Sequence, residues 1–297
     1  MSILSKTKSM KSNTESPESH PYLRCLGAIA ELSKSVYTRG SLPERRQLTV
    51  AVVGTRRPTI YGTRVACEIA EYLARHGVVV ISGLAYGIDR AAHEGALQAS
   101  GLTVAVLAHG LDFIYPRHHE ELAANIIDRG GTLLSPYPDG TPVARFRFLE
   151  RNQWVAALAD AVVVVEAEER SGTQATVRYA LDYGKEVFAV PGNISTPQAA
   201  GPNRLIKEGA HPVTKPADIL AVLAPKRATQ QMPESLQASM TQNERVVIDA
   251  LHHGANSIDE LVAATKLPVH HLLAELTTLE IQGWITKDSI GNWHAEL

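Results

Sequence analysis

Several short runs of glycine, arginine and small polar residues stand directly after apolar segments, where they could hold an anion. In the first run, Gly54 and Thr55 are followed by Arg56 and Arg57. A glycine at the end of a strand lets the backbone approach a negatively charged group, and arginine adds charge and bidentate hydrogen bonding. The spacing fits neither a G-x-G-x-x-G dinucleotide motif nor a Walker A loop. The run predicts an anion-binding turn, with a solvated loop bearing two surface arginines as the alternative.

The second run begins at Ser82 and contains Gly83 and Gly87, which suit a tight turn that faces a ligand. Asp89 and His93 follow, one helical turn apart, and could act together as an acid/base pair. Asp89 could equally be a carboxylate at a helix start that orients a partly buried imidazole. The residues alone leave both interpretations open.

The fourth run alternates two arginines with two phenylalanines and continues into a third arginine. Arg145, Arg147, Phe148, Arg151 and Asn152 could form a surface that stacks on bases and clamps phosphates, as proteins do with unpaired strands. The alternative is the start of an amphipathic helix with its phenylalanines packed inward.

The fifth run, Ser171-Gly172-Thr173, opens a predicted helix. Small side chains at a helix start leave the first backbone N–H groups free for a phosphate. Asn203 and Arg204, after a later strand, are predicted to extend the same edge of the sheet.

None of these runs completes a set of catalytic groups. The third run, around Tyr115-Pro116, is more typical of packing than of catalysis, and the adjacent His118 and His119 do not form a metal-ligand pair. There is no G-x-S-x-G elbow and no cysteine–histidine pair with a third member. We therefore predict a protein that is not an enzyme, with no catalytic residue, metal or cofactor.

The elements that must position these residues alternate between β-rich apolar runs and amphipathic helical stretches. This pattern is typical of a buried parallel sheet covered on both faces, and ligands bind such a sheet at the carboxyl ends of its strands. The predicted strands are Leu48–Val53, Val78–Ile81, Thr103–Leu107, Gly131–Leu134, Ala161–Val165, Glu186–Val190 and His211–Val213. The predicted helices between them are Thr63–His76, Arg90–Ser100, Glu120–Arg129, Glu150–Leu158 and Thr173–Tyr183.

The last part of the chain has the plan of a winged helix, with three helices and then a hairpin around Ile290-Gly291. The fold class is therefore α/β: an extended Rossmann-like, mostly parallel sheet with helices on both faces, plus a small C-terminal winged-helix domain. The predicted organisation is a disordered tail (1–20), a short helical lead-in (21–46), the Rossmann-like domain (47–223), a linker (224–238) and the winged helix (239–297).

Charge is divided unevenly along the chain. The whole sequence has a net charge of −2, but residues 237–297 hold three basic and eight acidic residues, so residues 1–236 carry +3. Phosphate is expected to bind the first part. The predicted recognition helix, Val269–Gln282, offers Glu275 and Glu280 and no lysine or arginine, so we predict that it contacts protein and not duplex DNA.

No apolar run is long enough to span a bilayer and the N-terminus lacks the apolar core of a signal peptide. Cys25 and Cys67 have no metal-binding or redox spacing and are expected to be free thiols. A cytoplasmic location without membrane contact is therefore expected.

Taken together, the runs resemble the DNA-processing protein A family (DprA, also called Smf). The matching segments are Val53 to Arg56, Tyr61-Gly62, Ser82 to Asp89, Ala92-His93, Ala96-Leu97, Gly110 to Asp112, Tyr115-Pro116, Phe148, Arg151-Asn152, Ser171 to Thr173, Thr176, Ala180, Pro191-Gly192 and Gly201 to Ile206. The resemblance implies a protein, commonly a homodimer, that binds single-stranded DNA in a basic pocket and helps load the RecA recombinase during natural transformation.

On the matching positions, the resemblance implies that Arg56 holds a phosphate beside Gly54 and that Phe148 stacks on or supports a base. Arg145 or Arg147 would supply a second cation, and Arg151-Asn152 would complete the pocket. Backbone N–H groups of Ser171 to Thr173 would bind the strand.

The chain departs from the family pattern at several positions. It has Ser135-Pro136 where the family usually has Ser-Glu, and Glu150 and Gln153 fall within the family's Phe-Pro-x-Arg-Asn-Arg segment. Glu150 adds a repulsive charge near the expected pocket and Gln153 removes a cation, which predicts weaker or more salt-sensitive binding.

Two other functions remain as alternatives. The departures leave open a regulatory adaptor that keeps the fold but has lost DNA binding. A nucleotide phosphoribohydrolase also uses a Rossmann-like sheet with a Gly-Thr turn, but residues Arg170 to Thr176 lack the glycines and the glutamate of that motif.

Overall fold

The computed structural model describes residues 12–27, 29, 32, 35–224, 241–252, 255–281, 285–287 and 292–295. The chain divides into two compact units, Met1–Ile219 and Leu220–Leu297. Each unit has its own buried apolar cluster. In the described part, no helix is both long enough and apolar enough to cross a bilayer.

The first unit is built on a nine-stranded sheet with the order β1-β2-β6-β5-β4-β3-β7-β8-β9. The pairs β1–β2 and β2–β6 are antiparallel and all the others are parallel. The strands are β1 (Asn13–Glu15), β2 (Val36–Gly40), β3 (Thr49–Val53), β4 (Val79–Ser82), β5 (Thr103–Val106), β6 (Thr132–Ser135), β7 (Ala161–Val164), β8 (Glu186–Ala189) and β9 (His211–Pro212).

Helices alternate with the strands of the sheet, as the predicted α/β class requires. They are α1 (Arg24–Gly27), α2 (Ile60–Arg75), α3 (Ile88–Gln98), α4 (Glu120–Asp128), α5 (Arg145–Leu158), α6 (Thr173–Asp182), α7 (Ala200–Lys207) and α8 (Ala217–Leu223). The strands are buried along most of their length because helices cover both faces of the sheet. This arrangement confirms the Rossmann-like fold class.

The order of the strands reverses at β3. From β3 the chain continues through β4, β5 and β6 on one side, and β7, β8 and β9 lie on the other. Val53 at the end of β3 is in register with Val164 at the end of β7. A crevice opens outside the carboxyl ends of the strands at such a switch point, and ligands of open α/β sheets bind there.

The beginning of the chain differs from the sequence prediction. The predicted disordered tail is wrong for residues 13–15, which form β1 and pair with β2 in the register Asn13↔Thr38. The predicted helical lead-in likewise contains the strand β2, and Tyr22 and Leu23 are fully buried in the core. Backbone pairing at a sheet edge requires no apolar alternation, so composition did not reveal β1. Residues 1–11 of the predicted tail lie outside the described residues.

The helix α5 begins five residues before the predicted start at Glu150. Its first residues alternate Arg-Phe-Arg-Phe, a period of two that is typical of a strand and that obscured the helical period. Two further helices, α7 and α8, were not predicted.

The second unit contains the predicted winged-helix elements. They are α9 (Gln242–His252), α10 (Ile258–Thr265), α11 (Val269–Ile281) and the antiparallel strands β10 (Ile285–Lys287) and β11 (Trp293–Ala295). A capping box between Ser257 and Glu260 starts α10, and Lys266 ends it in the left-handed conformation. The predicted linker from residue 225 onward, and the predicted turn at Ile290-Gly291, lie outside the described residues.

Candidate functional site

A cleft of about 730 Å³ opens in the first unit, where the strand order reverses. It is lined by the loops that follow β3, β4 and β7 and by the start of α5. The structure thus brings together residues that are far apart in the chain. The predicted site residues that line it are Gly54, Thr55, Arg56, Gly83, Arg145, Phe148, Arg151, Asn152, Ser171, Gly172 and Thr173.

Arg56 is exposed and lies over the ring of Phe148, with 5.0 Å between its Cζ and the ring centroid. The Cζ of Arg151 lies 6.0 Å from the same ring centroid. An exposed cation held against a ring can bind a phosphate, and the ring adds an aromatic surface to the cleft. The neighbouring Arg57 is also exposed and also lines the cleft.

The loop that carries both arginines is held by Glu166, which lies just after β7. Its backbone oxygen accepts a hydrogen bond from the N–H of Thr55 at 2.6 Å. Its buried carboxylate accepts from the N–H of Thr59 at 2.8 Å and from the Thr59 hydroxyl at 2.6 Å. Thr59 in turn caps α2. Glu166 therefore fixes the conformation of the Arg56 loop without lining the cleft.

Arg151 occupies the floor of the cleft and is only 4% exposed. Its Nη1 donates to the carbonyl oxygens of Gly83 and, at 2.8 Å, of Val106. A Cβ on residue 83 would lie 1.7 Å from that nitrogen, so a larger residue there would displace the Arg151 guanidinium. The predicted role of Arg151 as an outward phosphate clamp does not match this burial. Arg151 supports the floor of the cleft.

Asp89 completes that floor. Its Oδ2 accepts from the N–H groups of Gly83 at 3.2 Å and Ala85 at 3.3 Å. Burial raises the pKa of Asp89 while the nearby Arg151 opposes that shift, and burial lowers the pKa of Arg151 while Asp89 opposes it. The two buried charges thus stabilise each other next to the turn that they hold.

His93 does not pair with Asp89. Its Nδ1 lies 2.7 Å from the Thr103 hydroxyl, which itself donates to the Val80 carbonyl oxygen, so His93 is the donor. Complete burial lowers the pKa of His93 to about 3 and keeps the imidazole neutral. The acid/base interpretation of Asp89 and His93 is wrong, and both residues are structural.

The start of α6 offers backbone donors to the cleft. Gly172 precedes the helix, is exposed and provides no side-chain cap. Within the described chain, the N–H groups of Ser171, Gly172 and Thr173 have no acceptor. Asn152 lies beside them and donates to the Gly172 carbonyl oxygen at 3.3 Å. Free N–H groups at a helix start favour an anion.

Five predicted site residues lie outside the cleft lining. The Ser82 hydroxyl donates to the Val52 carbonyl oxygen at 2.7 Å, and Gly87 has a φ of +79° that starts α3. Asn203 makes two hydrogen bonds to Gly192, at 3.1 and 2.9 Å, and Arg204 bonds Gln174 at 2.7 Å. Arg147, the fifth, lies over the rings of Tyr137 and Phe146 and donates to the Pro142 carbonyl oxygen. Each supports neighbouring structure.

Two of the departures from the family pattern, Glu150 and Gln153, make hydrogen bonds outside the cleft lining. The carboxylate of Glu150 accepts a hydrogen bond from the Tyr137 hydroxyl, and Gln153 donates to the Tyr183 hydroxyl at 2.7 Å. Neither side chain lines the cleft. The structure therefore does not place the expected repulsive charge in the pocket.

The exposed charge of the cleft is positive. Arg56, Arg57 and Arg145 are exposed cations, against one exposed carboxylate, Glu168. Among the described residues, no cluster of three metal-ligating side chains occurs. The cleft can therefore bind a phosphate-bearing ligand with arginines and backbone N–H groups, and it offers Phe148 as an aromatic surface.

The sequence of the first unit matches a known family over most of its length. The family of DNA recombination-mediator protein A matches residues 14–224, and the DprA winged-helix domain matches residues 230–289. The chain belongs to this family. The assignment agrees with the resemblance seen in the sequence.

Relatives from distant bacteria cover most of the chain. Protein Smf of Escherichia coli is 38% identical over 87% of this chain and 71% of its own length. A DNA processing protein DprA of Mycobacterium tuberculosis, described as putative, is 41% identical over 85% of this chain and 65% of its own length. The chain thus spans about two thirds of these family members.

Solved structures of the family share the fold. DNA processing protein A from Streptococcus pneumoniae superposes with a TM-score of 0.66 and 36% identity, over 74% of this chain and 76% of its own. The Helicobacter pylori protein, which binds single-stranded DNA, superposes with a TM-score of 0.63 and 30% identity, over 73% of this chain and 99% of its own.

Sequence reasoning gave two contributors to the site no part in binding. Glu166 was assigned no role, and Tyr115, which lines the cleft, was interpreted as packing. The sequence does contain one signal that bears on Glu166. Thr59 has the spacing of a helix N-cap that accepts from the Gly62 N–H, and a carboxylate can hold such a threonine in place.

Proposed function

We propose that the cleft binds single-stranded DNA. The observation that carries this proposal is the exposed guanidinium of Arg56, held over the ring of Phe148 in the same cleft as the free N–H groups at the start of α6. A flexible polyanion with unpaired bases matches all three features, because its phosphates bind cations and N–H groups while its bases stack on rings.

A single strand fits the cleft better than a duplex does. Phe148 offers a ring face next to a cation, and a base can reach a ring face only when it is not paired and stacked within a helix. The H. pylori relative, 30% identical, binds single-stranded DNA.

We further propose that the protein acts by binding and not by catalysis. In this role it receives and protects DNA, helps load a RecA-type recombinase, and acts as a homodimer in the cytoplasm. The family's description as a recombination mediator supports this role. The adaptor alternative loses its main basis, because Glu150 and Gln153 do not line the cleft.

The proposal is tested by titrating labelled oligo-dT with the protein at two salt concentrations and following fluorescence anisotropy. Arg56→Ala should weaken binding by at least about 10-fold, since a hydrogen bond to a charged group is lost. It should also lower the salt slope by about 0.7 per lost phosphate contact.

Arg64→Ala is the matched control. Arg64 is an exposed arginine on α2, just beyond the same loop, and it pairs with Glu68 at 3.6 Å outside the cleft. It should change the affinity by less than about 2-fold. Equal losses in the two variants, or no binding by the unaltered protein, would reject the cleft as the DNA site. Release of free base from nucleoside monophosphates would favour the phosphoribohydrolase alternative.

A further inference from the structure

A chain of aromatic rings leads out of the cleft from Phe148. The Phe148 and Tyr115 ring centroids are 6.2 Å apart, and those of Tyr115 and His109 are 6.5 Å apart. His109 stacks on Phe113 with 4.5 Å between centroids and 22° between planes. With Arg56 over Phe148, this chain of rings connects the phosphate-binding side of the cleft to a surface beyond it.

Two of these rings face solvent and one holds them in place. Tyr115 is 48% exposed and Phe113 is 38% exposed, whereas His109 is buried. Nδ1 of His109 donates to the Gly110 carbonyl oxygen at 2.8 Å, and the His109 carbonyl oxygen accepts from the Ser135 hydroxyl at 2.6 Å. Burial lowers the pKa of His109 and favours the neutral imidazole. The exposed rings are thus fixed before any ligand arrives, which reduces the entropy lost on binding.

We propose that Tyr115 and Phe113 form a second stacking site for unpaired nucleobases, which a single strand reaches as it leaves the cleft. The inference rests on the proposed function. It specifies the direction in which the strand leaves the cleft and predicts that the protein binds a longer segment than the cleft alone can hold. Aromatic side chains that accept successive bases, next to a groove of cations, are the general means of holding a single strand.

Charge favours this direction over the opposite one. On the other side of the Arg56 loop, a cleft of about 600 Å³ has Tyr61, Glu166 and Asn193 among its lining residues and no lysine or arginine. Arg145 lines the same cleft as Tyr115. Asp112 is the carboxylate next to Phe113, and its Oδ1 accepts from the Gly140 N–H at 2.8 Å.

Arg147 adds a second cation near Arg145 at the start of α5. It lies over Tyr137 at 5.3 Å and over Phe146 at 5.2 Å. A polyanion therefore finds arginines at the start of α5, beside the exposed carboxylate of Asp112, and no lysine or arginine in the lining of the opposite cleft.

The test compares a short oligo-dT of about 4 nucleotides, which fills the cleft alone, with one of about 12 nucleotides, which reaches beyond it. Phe113→Leu keeps apolar bulk against His109 but removes the ring. It should weaken binding of the long oligonucleotide by about 10-fold and leave the short one unchanged. Phe113→Trp should restore the affinity, because it restores a stacking face.

Tyr61→Ala is the matched control, since Tyr61 is 44% exposed and lines the opposite cleft. If Tyr61→Ala weakens binding of the long oligonucleotide and Phe113→Leu does not, the strand does not leave the cleft toward Phe113, and the proposed direction is overturned. Equal affinity of the long oligonucleotide for Phe113→Leu and the unaltered protein would overturn the second site.

Fluorescence of 2-aminopurine, placed at each position of the long strand, gives a readout independent of affinity. Stacking on Phe113 should quench one position beyond the cleft, and Phe113→Leu should abolish that quenching alone. The proposed function fails separately, when the short oligonucleotide does not bind or is insensitive to Arg56→Ala.

Discussion

The cleft after β3 and the exposed face of α11 both have a geometry that proteins use to contact nucleic acid, but their charges differ. The cleft presents Arg56, Arg57 and Arg145 to solvent. In α11, from Val269 to Ile281, there is no lysine or arginine, and Val269 and Leu273 are exposed. A winged-helix fold alone therefore does not make a DNA-binding surface.

The two surfaces also differ in how they treat their carboxylates. Asp89 and Glu166 are buried beneath the cleft, where they hold loops that carry cations or free N–H groups. On α11, Glu275 accepts from Asn243 at 3.3 Å and Glu280 is exposed. Acidic residues thus support anion binding in one unit and oppose it in the other. We predict that α11 contacts protein.

The largest effect is expected for Arg151→Met, at the floor of the cleft. The change removes the buried cation near Asp89 and leaves the carbonyl oxygens of Gly83 and Val106 without their donor, so the free energy of unfolding should fall by about 3 kcal/mol. Urea denaturation measures this change. The exposed Arg145→Met is the control and should lose DNA affinity without losing stability. A fully stable Arg151→Met that no longer binds DNA would mean that Arg151 contacts the strand directly.

Acid should destabilise the unit that contains the cleft through His93. Its pKa is lowered to about 3 in the folded protein, so the unfolded state binds a proton first as the pH falls below about 6.5. Stability is then lost progressively between about pH 6.5 and pH 3. The contribution is about 2 kcal/mol between pH 7 and pH 5. Urea denaturation at both pH values measures this. Between pH 7 and pH 5, the free energy of unfolding should fall by about 2 kcal/mol less in His93→Gln than in the unaltered protein. An equal fall in the two proteins would contradict this pH dependence.

A gain of charge on α11 should make it resemble the cleft. Val269→Lys with Leu273→Lys places two cations one turn apart on the exposed face and should raise affinity for duplex DNA several-fold, by about 1 kcal/mol. Anisotropy with a labelled duplex measures this, and Val269→Ser with Leu273→Ser controls for the loss of apolar surface. Tight duplex binding by α11 in the unaltered protein would remove the contrast between the two surfaces.

The smallest effect is expected for Glu150→Gln. The Glu150 carboxylate accepts a hydrogen bond from Tyr137 and does not line the cleft, so affinity for oligo-dT and its salt slope should change by less than about 2-fold. A marked gain in affinity would show that Glu150 repels the strand, as the sequence pattern predicted. The measurement is the same anisotropy titration at two salt concentrations.

Much of the fold could be predicted because its signals are local. The strand β3 consists of consecutive β-branched and small apolar residues, and the observed strand, Thr49–Val53, differs by one residue from the predicted one. The run at Gly54 to Arg56 follows it directly, so the strand and the anion-binding turn were visible in one window. The edge strand β1 was not visible, because only its pairing with β2 makes it a strand.

The sequence by itself determined the α/β class, the family and the group of residues from which the cleft is made. Only the tertiary structure decided which arginines are exposed in the cleft and which one is buried beneath it. Arg56, Arg145 and Arg151 are the same residue type, and the sequence pattern does not distinguish them. Arg151 is buried because Gly83, 68 residues away, leaves room for its guanidinium. The burial of a side chain depends on contacts with residues that are far away in the sequence. A local pattern of residue types does not predict those contacts.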